Sequence, residues 1–321
     1  LCNTVGRAQE VFTALQAYFA PEVLMLFHAR YPFDDRMVRE QMVLERFGKH
    51  GDRPRRMACV ATQVIEQSLD IDFDLMVSEL APVDLILQRS GRVWRHVRPD
   101  RPGHFSGPEL WLLLPPVSPD GVPEFDRASI RVYDEHILLR SHLVLRDLPA
   151  LLIPDEVEGL IEAVYQRTEP PEDLPPALAV RWRQTAERMF QGELRKRRQA
   201  AVREIPALDV QVIDYDPVGL ADDDEAVHAA HQAMTRLGGP SVDVVCLFQK
   251  DGQAYLTPDA SEPFDLSRRP DARGVQLLLG RSLRLSFNPT LVKQILDLPV
   301  PPEWEVTAHL RRHRLLLFSP D

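Results

Sequence analysis

Met57-Ala58-Cys59-Val60-Ala61-Thr62-Gln63-Val64-Ile65-Glu66-Gln67-Ser68-Leu69-Asp70-Ile71-Asp72-Phe73-Asp74 is the stretch on which the fold turns. It opens with a short continuous apolar run, the pattern of a strand buried on both faces. It then passes straight into polar residues. Thr62 carries a hydroxyl suited to a phosphate, and Asp70 a carboxylate suited to a ribose hydroxyl. Polar groups gathered at the carboxyl end of a buried strand mark the edge where open α/β sheets bind ligands. Taken alone, the segment is also readable as a polar loop with caps.

Working outward, the first 115 residues alternate strand and helix signals. Arg7 to Phe19 places Val11, Leu15 and Tyr18–Phe19 at helical spacing, and Pro21 stops it. Val23 to Phe27 is a second buried strand. Asp34-Asp35 opens a helix that Gly48 ends. Leu75-Met76-Val77 and Leu110 to Leu114 are further strands, with a short helical turn over Asp84 to Arg89. This alternation predicts an α/β domain with a largely parallel sheet flanked by helices over residues 1–115. Pro115-Pro116 and Pro119-Asp120-Gly121 break the pattern. Ile130 to Leu148, Pro154 to Gln166 and Ala177 to Arg203 read as helices, so 116–206 is a helical linker. Residues 207–321 read as a small α+β domain, with strand signals at Val210 to Tyr215, Val242 to Phe248, Ala254 to Leu256, Leu283 to Ser286 and Leu315 to Phe318, and a helix from Asp222 to Leu237.

Composition narrows the function. The chain has 321 residues, 44% of them apolar and 27% charged, the balance of a globular protein with sizeable cores. No run approaches the length of a membrane span. Three separated cysteines make neither a zinc knuckle nor a disulfide framework and fit a reducing, cytoplasmic setting. The net charge is −10, which argues against coating nucleic acid through bulk charge. Residues 1–115 are nearly neutral, with 14 Lys+Arg against 15 Asp+Glu. A nucleic-acid site must therefore be a local groove. Leu1-Cys2-Asn3 reads like the end of a strand, and the chain is expected to be a piece of a longer protein.

The strongest chemical signal is Gln88-Arg89-Ser90-Gly91-Arg92-Val93-Trp94-Arg95-His96. Its arginines fall at i, i+3 and i+6, roughly along one face. An always-charged planar fork suits developing negative charge on a phosphoryl group, and supplied across an interface it is an arginine finger. The competing reading is a solvated basic helix end. Asn3-Thr4-Val5-Gly6-Arg7 is a strand-to-helix turn whose free N–H groups could seat a phosphate, with Thr4 and Arg7 as helpers; it is equally a plain helix cap. Phe27-His28-Ala29-Arg30-Tyr31 again ends a buried strand, and His28 and Arg30 could touch a strand backbone. No G-x-x-x-x-G-K-[ST] is present, and no Asp-Glu-x-His follows a strand.

Thr62–Asp74 together with Gln88–His96 resembles motifs V and VI of a superfamily 2 helicase. With N-T-V-G-R-A-Q (3–9), F-H-A-R-Y-P-F-D-D-R (27–36) and L-A-P-V-D-L-I-L-Q-R (80–89), the set resembles the helicase–nuclease of type I CRISPR interference systems, the effector recruited by Cascade. The resemblance implies that 1–115 is the second RecA-like domain, 116–206 the linker and 207–321 the C-terminal accessory domain. The N-terminal nuclease domain with its metal ions, and the first RecA-like domain that binds most of ATP and magnesium, would lie outside this chain.

By the same resemblance Arg92 and Arg95 reach the ATP γ-phosphate, and Gln88 and Arg89 support that interface. Asp70 lies near the ribose. Thr62, Gln63, Thr4, Arg7, His28 and Arg30 follow single-stranded DNA; Trp94 receives no role. The implied partners are single-stranded DNA, Cascade and the two upstream domains, with no membrane. Alone, the chain should be inactive. The alternatives are a non-catalytic RecA-like adaptor and another superfamily 2 DNA or RNA helicase.

Overall fold

The computed structural model describes every residue except 67–68, 100, 167–168, 202–239, 287 and 320–321. Four short strands carry the first part of the chain. β1 (Leu24–Phe27) pairs in parallel with β2 (Ala58–Ala61), and β3 (Leu75–Glu79) in parallel with β4 (Glu109–Leu113). Leu1 and Cys2 lie between the two pairs. The Cys2 N–H donates to the Ala61 carbonyl at 2.8 Å, and the Glu79 N–H donates to the Leu1 carbonyl at 3.0 Å. The carboxyl ends of β1, β2 and β3 and the turn at Asn3 thereby open on one edge.

The helices follow from local chemistry. α1 (Val5–Leu15) is capped by Thr4, whose hydroxyl accepts from the Arg7 N–H, a contact worth about 1 kcal/mol. It ends at Leu15, four residues before the end expected from spacing. The N–H groups of Tyr18 and Phe19 both return to the Leu15 carbonyl, and the turn leads to Pro21. Pro21–Val23 is a 3₁₀ turn, so the strand starts at Leu24 rather than Val23. α2 (Phe33–Phe47) buries Val43 and Phe47 against Met25, Phe27, Ile65 and Ile71. Each such side chain contributes on the order of 1.5–3 kcal/mol by leaving water. α3 (Val83–Ser90) follows β3.

The helix expected over Ile130 to Leu148 is broken. α4 (Ser129–Val132) and α5 (Glu135–Leu145) flank an extended Tyr133 at φ −124° and ψ 149°. Asp134 restarts the helix, because its carboxylate accepts from the His136 and Ile137 N–H groups. α6 (Val157–Tyr165) and α7 (Pro176–Ala201) complete this region. Trp182 of α7 is buried edge-on to His136, with the His136 ring also bonded to Thr185 at 2.8 Å.

Beyond residue 239, β5 (Val242–Lys250) is the central strand of a five-stranded sheet with β6 (Gln253–Tyr255), β7 (Pro263–Phe264), β8 (Ser282–Leu285) and β9 (His313–Phe318). The four strands expected from Val242 onward are present. α8 (Ala272–Gly280), α9 (Pro289–Leu296) and α10 (Pro302–Glu305) were not foreseen. The strand expected at Val210 to Tyr215 and the helix expected from Asp222 to Leu237 lie outside the described residues. No helix among the described residues is long and apolar enough to cross a membrane.

α8 meets α2. Arg281 donates to both oxygens of Asp35 at 2.8 and 3.1 Å. A Cβ built on Gly280 would stand 2.0 Å from the Asp34 carboxylate, so glycine lets the helices approach. The ion pair is partly exposed and is worth at most about 1 kcal/mol. Arg281→Ala is expected to speed amide exchange at the end of α8 and the first turn of α2 while leaving β5 protected; unchanged exchange at both ends would remove this pair from the contact.

Candidate functional site

The site grows from the carboxyl edge of the parallel strands. β2 ends at Ala61, and a 3₁₀ turn, Gln63–Glu66, follows Thr62. β3 feeds α3, which carries Gln88 and Arg89 and ends at Gly91. The chain then returns alongside the 70–74 segment. The Phe73 N–H donates to the Arg92 carbonyl at 2.8 Å, and the Trp94 N–H to the Phe73 carbonyl at 2.9 Å. This zipper sets Arg92 and Arg95 beside Asp70.

Arg95 Nε donates to Asp70 Oδ1 at 2.8 Å, and the His96 ring contacts the same oxygen at 2.8 Å. Desolvation pulls the Asp70 carboxyl upward, but the bonds and charges of His96 and Arg95 together outweigh it and hold the group below the usual carboxylate range. Arg92 donates to the carbonyls of Leu69 at 2.6 Å and Glu66 at 3.1 Å. A guanidinium has five N–H donors, so each arginine keeps donors for a ligand oxygen. Desolvation, then the neighbouring Arg95 charge, lowers the Arg92 value. Gln88 is exposed one turn earlier. Asp70, Arg92 and Arg95 are thus brought together as an acid and two cations.

Arg89 differs from its two companions. It is fully buried. Nε donates to Glu66 at 2.7 Å, Nη1 to the Ser78 hydroxyl at 2.7 Å and the Glu79 carbonyl at 3.0 Å, and Nη2 to the Tyr133 hydroxyl at 3.3 Å. Arg92, by contrast, is half-buried and Arg95 is exposed. Gln63 also points inward: its Nε2 donates to the Asn3 carbonyl at 2.7 Å and the Tyr133 hydroxyl at 2.9 Å. Thr62 is buried, and its N–H bonds the Phe27 carbonyl. Arg7 spans Glu79 at 3.1 Å and Glu10 at 3.2 Å.

His28 is 3% exposed and stacked on Tyr31, with ring centroids 4.2 Å apart; Arg39 covers the other Tyr31 face at 3.9 Å. Its Nδ1 accepts from the Arg30 N–H, which places the ring proton on Nε2. Burial, with the charges of Arg30 and Arg39 adding, pushes the imidazole down to about 4. Arg30 itself is exposed. The strand-contact candidates therefore divide into an exposed Arg30, an Arg7 half open to solvent, a half-buried Thr4 and Gln63, and a buried Thr62 and His28.

Four residues carry no sequence signal that spacing could reveal. Tyr133 joins Gln63 and Arg89. Asp72 is fully buried and accepts from the Arg95 N–H at 3.0 Å, Arg98 Nε at 2.9 Å and Arg101 Nη2 at 2.8 Å. Asp74 accepts from Arg53 and Arg101, each at 2.7 Å. Trp94 adopts the left-handed region at φ 50°, donates its indole N–H to the Asp74 carbonyl and lies under the Arg101 guanidinium at 4.6 Å. That turn brings Arg95 back to Asp70. Among the described residues no group of three or more His, Cys, Asp or Glu side chains is placed to hold a metal ion.

Comparisons with known proteins agree with this architecture. Residues 1–98 match the family described as CRISPR-associated nuclease/helicase Cas3, C-terminal, and residues 236–321 match the Cas3 C-terminal domain. The CRISPR-associated endonuclease/helicase Cas3 of Thermus thermophilus is 36% identical over 299 residues, covering 92% of this chain and 32% of that protein. The Escherichia coli protein of the same description is 36% identical over 170 residues, covering 53% of this chain and 19% of that one. A crystal structure of T. fusca Cas3 with AMPPNP superposes with a TM-score of 0.78 at 31% identity, covering 98% of this chain and 35% of that chain. A CRISPR RNA-guided surveillance complex, pre-nicking, contains a chain with a TM-score of 0.73 at 32% identity, covering 98% of this chain and 36% of that one.

These matches define the class as CRISPR-associated nuclease/helicases. The chain belongs to the Cas3 family and corresponds to the C-terminal part of its members. It spans about a third of the length of the Thermus thermophilus relative and of these structures.

Two outcomes follow from the geometry. Because the left-handed backbone strains any residue with a Cβ, Trp94→Ala should be less stable than Trp94→Gly by about 1 kcal/mol in urea melts, although both lose the same ring; equal stabilities would mean that the turn is not held. The folded His28 value lies below the ordinary 6.5, so the unfolded chain binds the extra proton first. The stability His28 contributes is therefore present above about 6.5 and declines as pH falls towards 4. Nitrogen-15 NMR should find a neutral ring with its proton on Nε2 at pH 5.5, and a charged ring there would refute the burial argument.

Proposed function

We propose that this chain is the arginine-supplying half of an ATP-driven single-stranded DNA translocase within a CRISPR interference helicase–nuclease. Residues 1–115 are the second RecA-like domain, 116–206 the helical linker and 207–321 the C-terminal accessory domain. ATP and its magnesium ion are bound mainly by a first RecA-like domain, and nuclease metal ions by a nuclease domain, both outside these residues. The observation that carries the reading is the grouping of Asp70, Arg92 and Arg95 at the carboxyl edge of the parallel strands, with Arg89 buried.

Arg92 and Arg95 would bear on the γ-phosphate from across the cleft, where an arginine fork stabilises charge spread over the phosphoryl oxygens. Asp70 would orient Arg95 and face the ribose. Gln88 and Arg89 support that face. Arg7 and Arg30 face the strand, while Thr4, Thr62, Gln63 and His28 shape the turns of the edge that follows it. Closure of the cleft on ATP and its release after hydrolysis would shift this edge along the DNA. The partners are single-stranded DNA and the Cascade surveillance complex, a source of substrate consistent with the surveillance-complex relative.

The test uses this chain alone and mixed with a separately made nucleotide-binding half. ATP hydrolysis should be absent alone and DNA-stimulated in the mixture. Arg92→Ala should lower kcat by on the order of 10³-fold while single-strand binding stays within about threefold. Folded halves that bind each other without hydrolysing ATP would favour a non-catalytic adaptor. Equal loss of hydrolysis and DNA binding would remove Arg92 from the nucleotide.

A further inference from the structure

Tyr133 lies in the linker, 70 residues from Gln63 and 44 from Arg89, yet its hydroxyl accepts from both, at 2.9 Å from Gln63 Nε2 and 3.3 Å from Arg89 Nη2. The backbone is arranged for this contact. Where residue spacing favours one helix over Ile130 to Leu148, Tyr133 is extended and Asp134 restarts the helix behind it. Each donor that meets the hydroxyl has a second anchor. Gln63 also holds the Asn3 carbonyl at the turn before α1, and Arg89 also holds Glu66 and Ser78. Arg89 is three residues before Arg92, and Gln63 is next to Thr62. One oxygen therefore ties the strand-following turns at Asn3–Thr4 and Thr62–Gln63 to the helix that presents the nucleotide-facing arginines.

We propose that Tyr133 is a positioning residue that couples the strand-contact turns to the arginine segment, so that DNA bound at one edge sets the placement of Arg92 and Arg95. The inference rests on the function proposed above. The physical reason is shared satisfaction. Gln63 and Arg89 donate to the same acceptor in a half-buried place where water is scarce, so a displacement of either turn alters the bond left to the other. Without the hydroxyl, each turn keeps its own anchors, Asn3 for Gln63 and Glu66 with Ser78 for Arg89, and the two move independently. The linker thereby takes part in the motor, beyond joining two domains.

The experiment compares Tyr133→Phe, Gln63→Leu and the double variant in the full-length helicase–nuclease that carries this chain. Tyr133→Phe keeps the ring that packs against the buried cluster to which Leu80, Val83 and Ile86 belong. ATP hydrolysis is measured with and without single-stranded DNA, beside DNA affinity and the melting temperature. Tyr133→Phe should lower the stimulation ratio about tenfold, while basal kcat and the KM for ATP stay within about twofold, and the double variant should lose no more than either single, as for residues acting through one link. A ratio within twofold of the parent, or losses that multiply in the double variant, would overturn the coupling. A Tyr133→Phe chain that fails to fold leaves Gln63→Leu to decide at saturating DNA, where lost stimulation supports the coupling and retained stimulation overturns it. Hydrolysis that survives Arg92→Ala would instead sink the function proposed above, a result these ratios do not mimic.

Discussion

A guanidinium with no exposure to water has to be answered on every side, and Arg89 shows what that requirement organises. Glu66 supplies the charge, Ser78 and the Glu79 carbonyl take the second arm, and Tyr133 takes the third. Removing one partner of such a buried pair costs roughly 3–5 kcal/mol, because the remaining charge is stranded. Glu66 belongs to the turn after β2, Ser78 and Glu79 to β3, and Tyr133 to the linker. Satisfying one side chain thus fixes the relative positions of three elements, and with them the loops at the carboxyl edge of the strands.

A pair of carboxylates performs the same service for the segment that carries Arg92 and Arg95. Asp72 and Asp74 are shared by Arg53, Arg98 and Arg101, and Asp72 also takes the Arg95 N–H. Trp94 accepts a strained left-handed backbone there, stabilised by its bond to the Asp74 carbonyl and by the Arg101 charge over its ring. Strain held in place by surrounding bonds is common where side chains must be aimed. Here the result is that Arg95 lies on Asp70 while Arg92, three residues earlier, grips the loop carbonyls beside it.

Much of the candidate site was legible because its members are near in sequence. Asp70, Arg92 and Arg95 sit in two segments whose spacing and position after buried strands point to phosphate chemistry. Spacing could not separate Arg89 from the other two. Their i, i+3, i+6 spacing predicts one shared helical face, but Arg89 alone is inside α3, and Arg92 and Arg95 lie beyond Gly91 where the chain has left the helix. Gln63 and His28 were correctly placed at strand ends, but their side chains turn inward to Tyr133 and Tyr31. A polar residue after a strand reveals the edge it occupies and not the direction in which its side chain satisfies itself.

The α/β alternation, the strands after residue 240, the helices between residues 129 and 201 and the polar edge after β2 are legible in the residue pattern, since these depend on periodicity, caps and breakers within a few residues. That Tyr133 interrupts a helix, that Asp72 is a buried hub, and that Arg281 and Gly280 bring α8 against α2 emerges in the folded chain alone. Those outcomes depend on desolvated groups finding partners tens to hundreds of residues away. Such pairings are set by packing geometry, which no local pattern encodes.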